Sequence, residues 1–483
     1  MRRNVRRRSC AMLAAVRSAT VFGVEGRPVT VEVHVSTGLP AFQIVGLPDE
    51  ACRESRDRVR AAVLSSGLRW PSCRVTVNLA PSNQRKGGSG LDLAIAVAFL
   101  AASEQVLLAG LGGLAFVGEV GLDGSLRAVS GVAPMVASIC TDDDTARPVV
   151  PVGSFREAQG VVGDGVRVAH CLREVVDALN GVAPWPEPPQ GELFECEPPP
   201  PDLADVRGQA VARLALEVAA AGGHHLLLVG PPGSGKTMLA QRLPGLLPPL
   251  ERSTSLQATM VHSAAGVRLP AGGLVVRPPF RAPHHSSSMV SLVGGGSTAL
   301  RPGEISVAHG GVLFLDELGE FAPAVLDGLR QPLEEGVIRL ARARASASLP
   351  AHFLLVAATN PCPCGGGAPG ACECDDGARL RYLRRLSGPL LDRFDLRVGV
   401  ERPGVDDLLA TGGGEPTSAV AARVAHARQR SIQRIGMPPA DIPPALLDDL
   451  APLHPAARVM LRDQLEAGQP PGLELIAQHH SGG

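Results

Sequence analysis

The period of apolar and polar positions changes several times along the chain. "VTVEVHV" (29–35) and "CRVTVNLA" (73–80) alternate with a period of two, which predicts strands with one buried face. "DEACRESRDRVRAAVLSSG" (49–67) has helical spacing and predicts an amphipathic helix stopped at Gly67. Residues 93–103 form an apolar run, but Asp92 precedes it and Glu104 and Gln105 interrupt it, so it is too short to span a bilayer. In the second half the apolar residues gather into short blocks. "HLLLVG" (225–230), "GGVLFLDEL" (310–318) and "HFLLVAATN" (352–360) each predict a strand buried on both faces. "GQAVARLALEVAAAGG" (208–223) predicts a helix with a glycine stop, and "KTMLAQRL" a second helix. "EEGVIRLARARASASLPAHF" (334–353) alternates again and predicts a hairpin, and from about 401 helical spacing returns, with starts near Thr417 and Pro444.

"APWPEPPQGELFECEPPPPD" (183–202) interrupts both periods, because proline ends helices and sheets alike. The expected organisation is therefore a first domain over 12–182, a linker over 183–201, a second domain over 202–400 and a helical region over 401–483. No internal repeat is evident. The length of 483 residues suits about three domains, and an apolar fraction of 45% supports real cores. A net charge of −1 excludes a global basic field for holding nucleic acid, so any such contact must come from local loops. Lysine occurs only at positions 86 and 236 against abundant arginine, which marks both as places where a compact ammonium has a use. The basic start "MRRNVRRRSCAMLAAV" imitates an export signal, but Arg17 breaks its apolar run and no clear cleavage site follows. The chain is expected in the cytoplasm with no membrane partner, where reducing conditions favour metal over disulfide for paired cysteines.

The chemistry concentrates in the second domain. "GPPGSGKT" (230–237) fits G-x-x-x-x-G-K-[ST] directly after a predicted strand. Gly230, Pro231, Pro232, Gly233, Ser234 and Gly235 would wrap phosphates with backbone N–H groups, and the following helix start adds its positive end. Lys236 is suited to the β- and γ-phosphates and Thr237 to Mg²⁺. At the end of "VLFL", Asp316 would orient Mg²⁺ and Glu317 would polarise the attacking water, so ATP and Mg²⁺ are the expected ligands. Asn360 ends a third strand, where it could hold that water or simply cap the turn before Pro361. Arg393, in "LSGPLLDRFDL", could pair with Asp392 or Asp395, or could reach a neighbouring subunit's ATP as an arginine finger. Four of the ten cysteines, Cys362, Cys364, Cys372 and Cys374, form two C-x-C pairs. Four thiolates in a glycine-rich loop suit Zn²⁺; free thiols or a redox disulfide are the alternatives.

These residues in this order resemble the AAA+ ATPases, and more closely the magnesium-chelatase-like ComM/YifB family. "VTVEVHVSTGLPAFQIVGLPD", "VTVNLAPSNQRKGGSGLDLAIA", "FRAPHHSSSMVSLVGGGS", "RPGEISVAHGGVLFLDELGEF", "NPCPCG" and "RLSGPLLDRFDL" carry the resemblance over about 12–460. It implies an α/β fold: an AAA+ P-loop core, an N-terminal Lon-protease-like (ribosomal S5 domain 2-like) α+β domain and a partial C-terminal helical lid. It also implies a ring-forming ATPase, a hexamer whose best-studied type is a DNA helicase driving branch migration in natural transformation. Lys236, Thr237, Asp316, Glu317, Asn360 and Arg393 would be its Walker A, Walker B, sensor 1 and arginine-finger residues. A chelatase-type ATPase that drives metal insertion through a partner is the alternative; that class shares the core and is expected to lack the Lon-like domain. A scaffold with weak turnover is a further reading.

Against the Lon pattern, Gly90 falls near the nucleophile and Ala133 at the lysine, while Ser89 is displaced by one residue. A serine without a base is a weak nucleophile, so a non-proteolytic module is expected. Lys86 and Arg85 are read as a DNA contact or a solvated loop. Arg339, Arg342 and Arg344 on the hairpin, with Arg281, His284 and His285 in 280–298, are candidates for tracking a DNA backbone through a ring, or are solvent-facing. At the end, "LRDQLEAGQPPGLELIAQHHSGG" lacks the family's final helical signature and its ATP-sensing arginine, so a truncated lid with impaired turnover is expected. Residues 1–11 read as an added upstream segment, with Met12 the more natural start.

Overall fold

The computed structural model describes residues 12–189, 200–296, 300–342, 345–366, 372, 374–375, 377–378, 381–382, 388–409, 413–437, 442–450, 452 and 454–466. The upstream segment 1–11, most of the proline-rich stretch, Arg344 and the tail 467–483 lie outside them, and nothing is described of the Arg342 side chain.

The first domain is built on a seven-stranded mixed sheet. Its strands are β1 (Met12–Phe22), β2 (Glu25–Ser36), β3 (Ala41–Val45), β4 (Arg74–Ala80), β5 (Leu114–Phe116), β6 (Arg147–Pro151) and β7 (Arg167–Ala169), in the order β3-β4-β2-β1-β5-β6-β7. In β2 the predicted alternation appears directly: Val29, Val31, Val33 and Val35 are buried and their neighbours are not. The helix Glu50–Ser65 begins at Asp49, whose carboxylate accepts the Cys52 N–H at 2.9 Å. The apolar run is the helix Asp92–Ala102, and every one of its residues is buried. That explains its absence of a polar face: it is wrapped by protein on all sides. Its one charge, Asp92, is compensated by Arg58 Nε at 2.7 Å and Nη2 at 3.1 Å and by Ser55.

The second domain carries a five-stranded parallel sheet. Its strands are β8 (Leu226–Val229), β9 (Phe280–Arg281), β10 (Val312–Leu315), β13 (Leu354–Thr359) and β14 (Leu396–Gly399), in the order β9-β10-β13-β8-β14; β11 (Val337–Arg342) and β12 (Ala345–Pro350) form a separate antiparallel hairpin between β10 and β13. Apolar clusters cover both faces of this sheet, as continuous apolar blocks demand. Register puts Val229 beside Thr359 and Leu315 beside Ala357. The residues that follow these strands, Gly230, Asp316 and Asn360, therefore emerge on one edge. The helix Ala210–Gly222 ends at Gly223 in the left-handed region (φ 82°), as its glycine stop predicts. Helices Thr417–Ile435, Pro444–Leu450 and Pro455–Glu466 follow, the last not anticipated. Among the described residues no helix is long and apolar enough to cross a membrane.

The domains meet through helices Val132–Asp142 and Arg252–Ala265. Gly131 N–H donates to the Ser263 carbonyl at 3.0 Å and Ala133 N–H to Ser263 Oγ at 3.3 Å, while within the first domain Ala133 N–H also donates to Glu157 Oε1 at 2.7 Å. Ser263 also donates to Glu157. Thus Ala133, aligned with the Lon lysine, is a fully buried part of this junction.

Candidate nucleotide site

Strand β8 is the inner strand between β13 and β14, and its C-terminal end releases the loop 230–235. Gly230 is required sterically: a Cβ there would lie 2.1 Å from the Val400 carbonyl oxygen. Gly233 and Gly235 have φ of +75° and +90°, where glycine is favoured. A Cβ on Gly233 would meet nothing within 4 Å, so the loop presents open backbone rather than packed surface. Ser234 Oγ is buried with no hydrogen-bond partner among the described residues. Lys236 opens the following helix and curls back, donating to the carbonyls of Gly230 (2.7 Å) and Pro231 (2.9 Å) and to Asn360 Oδ1 (3.3 Å). Burial lowers the pKa of its ammonium, and the carboxylates of Asp316 and Glu317 oppose that shift.

From β10, Asp316 Oδ2 accepts the Thr237 hydroxyl at 2.7 Å. A hydroxyl and a carboxylate in direct contact beside an open glycine loop are a donor set suited to Mg²⁺ and phosphate oxygens. With the unpartnered Ser234 and the exposed backbone, these residues fit the nucleotide and metal expected of them. Glu317 follows in the left-handed region (φ 53°), a conformation costly for a non-glycine residue and concentrated at functional sites. Its carboxylate meets His285 Nδ1 at 3.2 Å.

Several residues differ from their sequence-based expectations. His285 faces Glu317 rather than serving as a free DNA contact, and its ring lies 4.1 Å from that of His284. Arg281 is held by Glu304 in a bidentate pair at 2.6 and 2.8 Å. Lys86 is fully buried with its ammonium on the Pro81 carbonyl, so it is neither a solvated loop residue nor placed to meet DNA. Arg393 pairs with Glu334, not with Asp392 or Asp395. Asp392 faces Arg397 at 3.8 Å, and Asp395 accepts the His225 N–H at 2.8 Å. Arg393 also precedes β14, whose Leu396 is level with Leu226 at the start of β8. It thus sits at the sheet edge opposite the phosphate loop, about 10 Å of strand away. Arg339 pairs with Glu335 at the base of the hairpin.

Other contacts with the loop were not legible in the sequence. Gln209 Nε2 donates to the Ser234 carbonyl at 3.2 Å, and Arg402 reaches the Pro232 carbonyl at 3.2 and 3.3 Å. Neither belongs to a motif; only the folded register of residues far apart in sequence joins them to the loop.

Comparison with known proteins gives this arrangement its lineage. The family described as "Magnesium chelatase, subunit ChlI" matches residues 202–408, and "Subunit ChlI of Mg-chelatase" matches 31–154. An uncharacterised protein, Rv2897c of Mycobacterium tuberculosis, is 49% identical over 420 residues, 86% of this chain and 82% of the relative. YifB of Escherichia coli is 43% identical over 426 residues (87% and 83%), and competence protein ComM of Haemophilus influenzae 43% over 429 (88% and 84%). The fold and loop are those of a magnesium-chelatase-like AAA+ protein. The chain belongs to the ComM/YifB family of that class.

Proposed function

We propose that the chain is an ATP-hydrolysing motor that assembles as a homo-hexameric ring and acts on single-stranded or branched DNA. The observation that supports this best is the convergence of Lys236, Thr237, Asp316 and Asn360 on one edge of three adjacent parallel strands. Lys236 exchanges its carbonyl partners for phosphate oxygens. Thr237 and Asp316 would hold Mg²⁺, which when bound would supply positive charge to the phosphate oxygens. Glu317 accepts a proton from the attacking water, and Asn360 orients that water. Arg393 serves the site of a neighbouring subunit, a role supported by its position at the far edge of its own sheet. The first domain is a non-proteolytic, Lon-like assembly or binding module in the cytoplasmic protein. DNA as the substrate rests on the family resemblance and on a relative named for competence.

A chelatase-type role has one specific observation in its favour, the chelatase description of both matching families. ATP hydrolysis by the purified chain, measured with and without single-stranded or forked DNA beside a Lys236→Ala control, separates the two. The motor reading expects turnover that DNA stimulates and that Lys236→Ala abolishes. Turnover indifferent to every DNA form would reject it in favour of the chelatase-type reading.

A further inference from the structure

Directly beyond Asn360, one sulfur from each of Cys362, Cys364, Cys372 and Cys374 lies within 4.8 Å of all the others. Cys362 and Cys364 are 3.3 Å apart, Cys362 and Cys372 3.4 Å, and Cys364 and Cys372 3.6 Å. A disulfide needs about 2.05 Å, so these are not bonded pairs. Tetrahedral zinc with Zn–S bonds of about 2.3 Å sets its ligand sulfurs about 3.8 Å apart, close to what the cluster shows. Neutral thiols gain little from mutual contact, whereas four thiolates around a soft divalent cation are a strong ligand set. The supporting contacts also fit. Cys362 is buried at 2% exposure and anchors one corner in the core, while Cys364 is exposed and leaves an entry path. The Gly366 N–H donates to Cys364 Sγ at 3.4 Å, an outer-shell contact that orients a sulfur ligand. Gly365 turns at φ +77° with its N–H on the Cys362 carbonyl at 3.0 Å.

The same turn touches the phosphate loop. A Cβ on Gly365 would fall 2.6 Å from Pro232 Cδ and 2.7 Å from its Cγ. Pro232 is also the residue whose carbonyl Arg402 holds from the other direction. We propose that the four cysteines bind one Zn²⁺ as a tetrathiolate, and that this ion fixes the turn 362–366 as the outer wall of the phosphate loop. The zinc half stands on the cysteine cluster alone; the bracing half rests on the nucleotide-site reading above.

The test uses the full chain purified without chelators. Elemental analysis should find one zinc per chain, and cobalt substitution should give the sulfur-to-cobalt charge-transfer and tetrahedral ligand-field bands of four thiolates. Loss of the metal in the double variant Cys372→Ser, Cys374→Ser completes the expectation. A metal-free protein whose four thiols all alkylate like exposed cysteines overturns the zinc half, as does stoichiometric iron in place of zinc. Gly365→Ala keeps all four thiols, so its zinc content reports an intact fold. It should retain zinc while weakening Mg·ATP binding about tenfold. A zinc-loaded Gly365→Ala with unchanged ATP affinity, or zinc-free protein that binds ATP like the loaded form, overturns the bracing half. If the zinc-loaded, unmutated chain binds no ATP at all, the nucleotide reading fails and the bracing half with it, while the zinc site stands.

Discussion

At the scale of single residues, phosphate chemistry makes its own signature. It requires glycines where backbone must face an anion, one flexible ammonium, one hydroxyl and one carboxylate pair, and those demands are local enough to be written in short motifs. Lys236, Thr237 and Asp316 stand out in the sequence for that reason; in the fold Thr237 donates to Asp316, and Lys236 to Asn360 and the Gly230 carbonyl. His285 was legible only as a polar residue in a loop. Its place beside Glu317 comes from the pairing of β9 with β10, which brings segments about thirty residues apart to the same edge. The site predicts a separation of binding from chemistry. Glu317→Gln preserves the shape of the residue and removes the proposed base. It should lower kcat about 100-fold or more while leaving the dissociation constant for Mg·ATP within about threefold, by steady-state turnover and equilibrium binding. A comparable loss in both would show that Glu317 holds the nucleotide instead.

At the scale of elements, periodicity carried most of the information. The alternating runs became β2 and β4, the hairpin formed as β11 and β12, and the glycine stop ended its helix. Period says nothing of which strands become neighbours. The junction before β13 illustrates the difference. His309 is buried at 5% exposure, with Nδ1 accepting the His352 N–H at 3.1 Å and Nε2 facing Gln257 Oε1 at 3.0 Å. Accepting a backbone N–H requires an unprotonated Nδ1, so the ring is neutral and donates through Nε2. Burial lowers its pKa from 6.5 to about 4, with His352 and His262 acting in the same direction. The folded state therefore binds fewer protons than the unfolded state between these values, and stability falls with decreasing pH across that window. The contribution is complete above pH 6.5, is lost down to about pH 4, and amounts to about 3 kcal/mol. Burial shifts His225 and His262 the same way, adding to the acid sensitivity. His309→Gln keeps one acceptor and one donor but cannot titrate. Urea midpoints measured from pH 7 to pH 4.5 should fall less steeply for that variant than for the parent. Parallel slopes would remove His309 as a cause.

At the scale of the whole molecule, the placement of Arg393 has the largest consequence. Nothing in "LLDRFDL" indicates that the residue lies at the opposite edge of the sheet from Lys236; that follows from β8 and β14 running parallel in register. In the ring proposed above, a residue so placed would serve a neighbour's site rather than its own, and two defective chains should then repair each other. Arg393→Ala and Lys236→Ala should each be inactive alone, the first by about 10³-fold or more. Mixed in equal amounts and allowed to assemble, they should recover measurable ATP hydrolysis, because some subunit interfaces then contain an intact lysine facing an intact arginine. Mixtures as inactive as their components would place Arg393 in a structural role through Glu334. The junction between domains is another property of this scale. Ala133 reads in the sequence as the vacant position of a catalytic lysine; in the fold its N–H donates to Ser263 Oγ at 3.3 Å, which makes it part of the contact between domains.

The sequence by itself determined the strands and helices set by local period, the loop that needs glycine at positive φ, and the residue types that phosphate and thiophilic metals require. Each of these is enforced within a few residues by backbone sterics or by the ligand's own chemistry. Only the tertiary structure decided that Glu317 meets His285, that Arg393 pairs with Glu334 away from its own phosphate loop, and that Gly365 rests on Pro232. Those contacts join residues whose separation along the chain carries no physical force, and they come into being when parallel strands lock into register around a shared core.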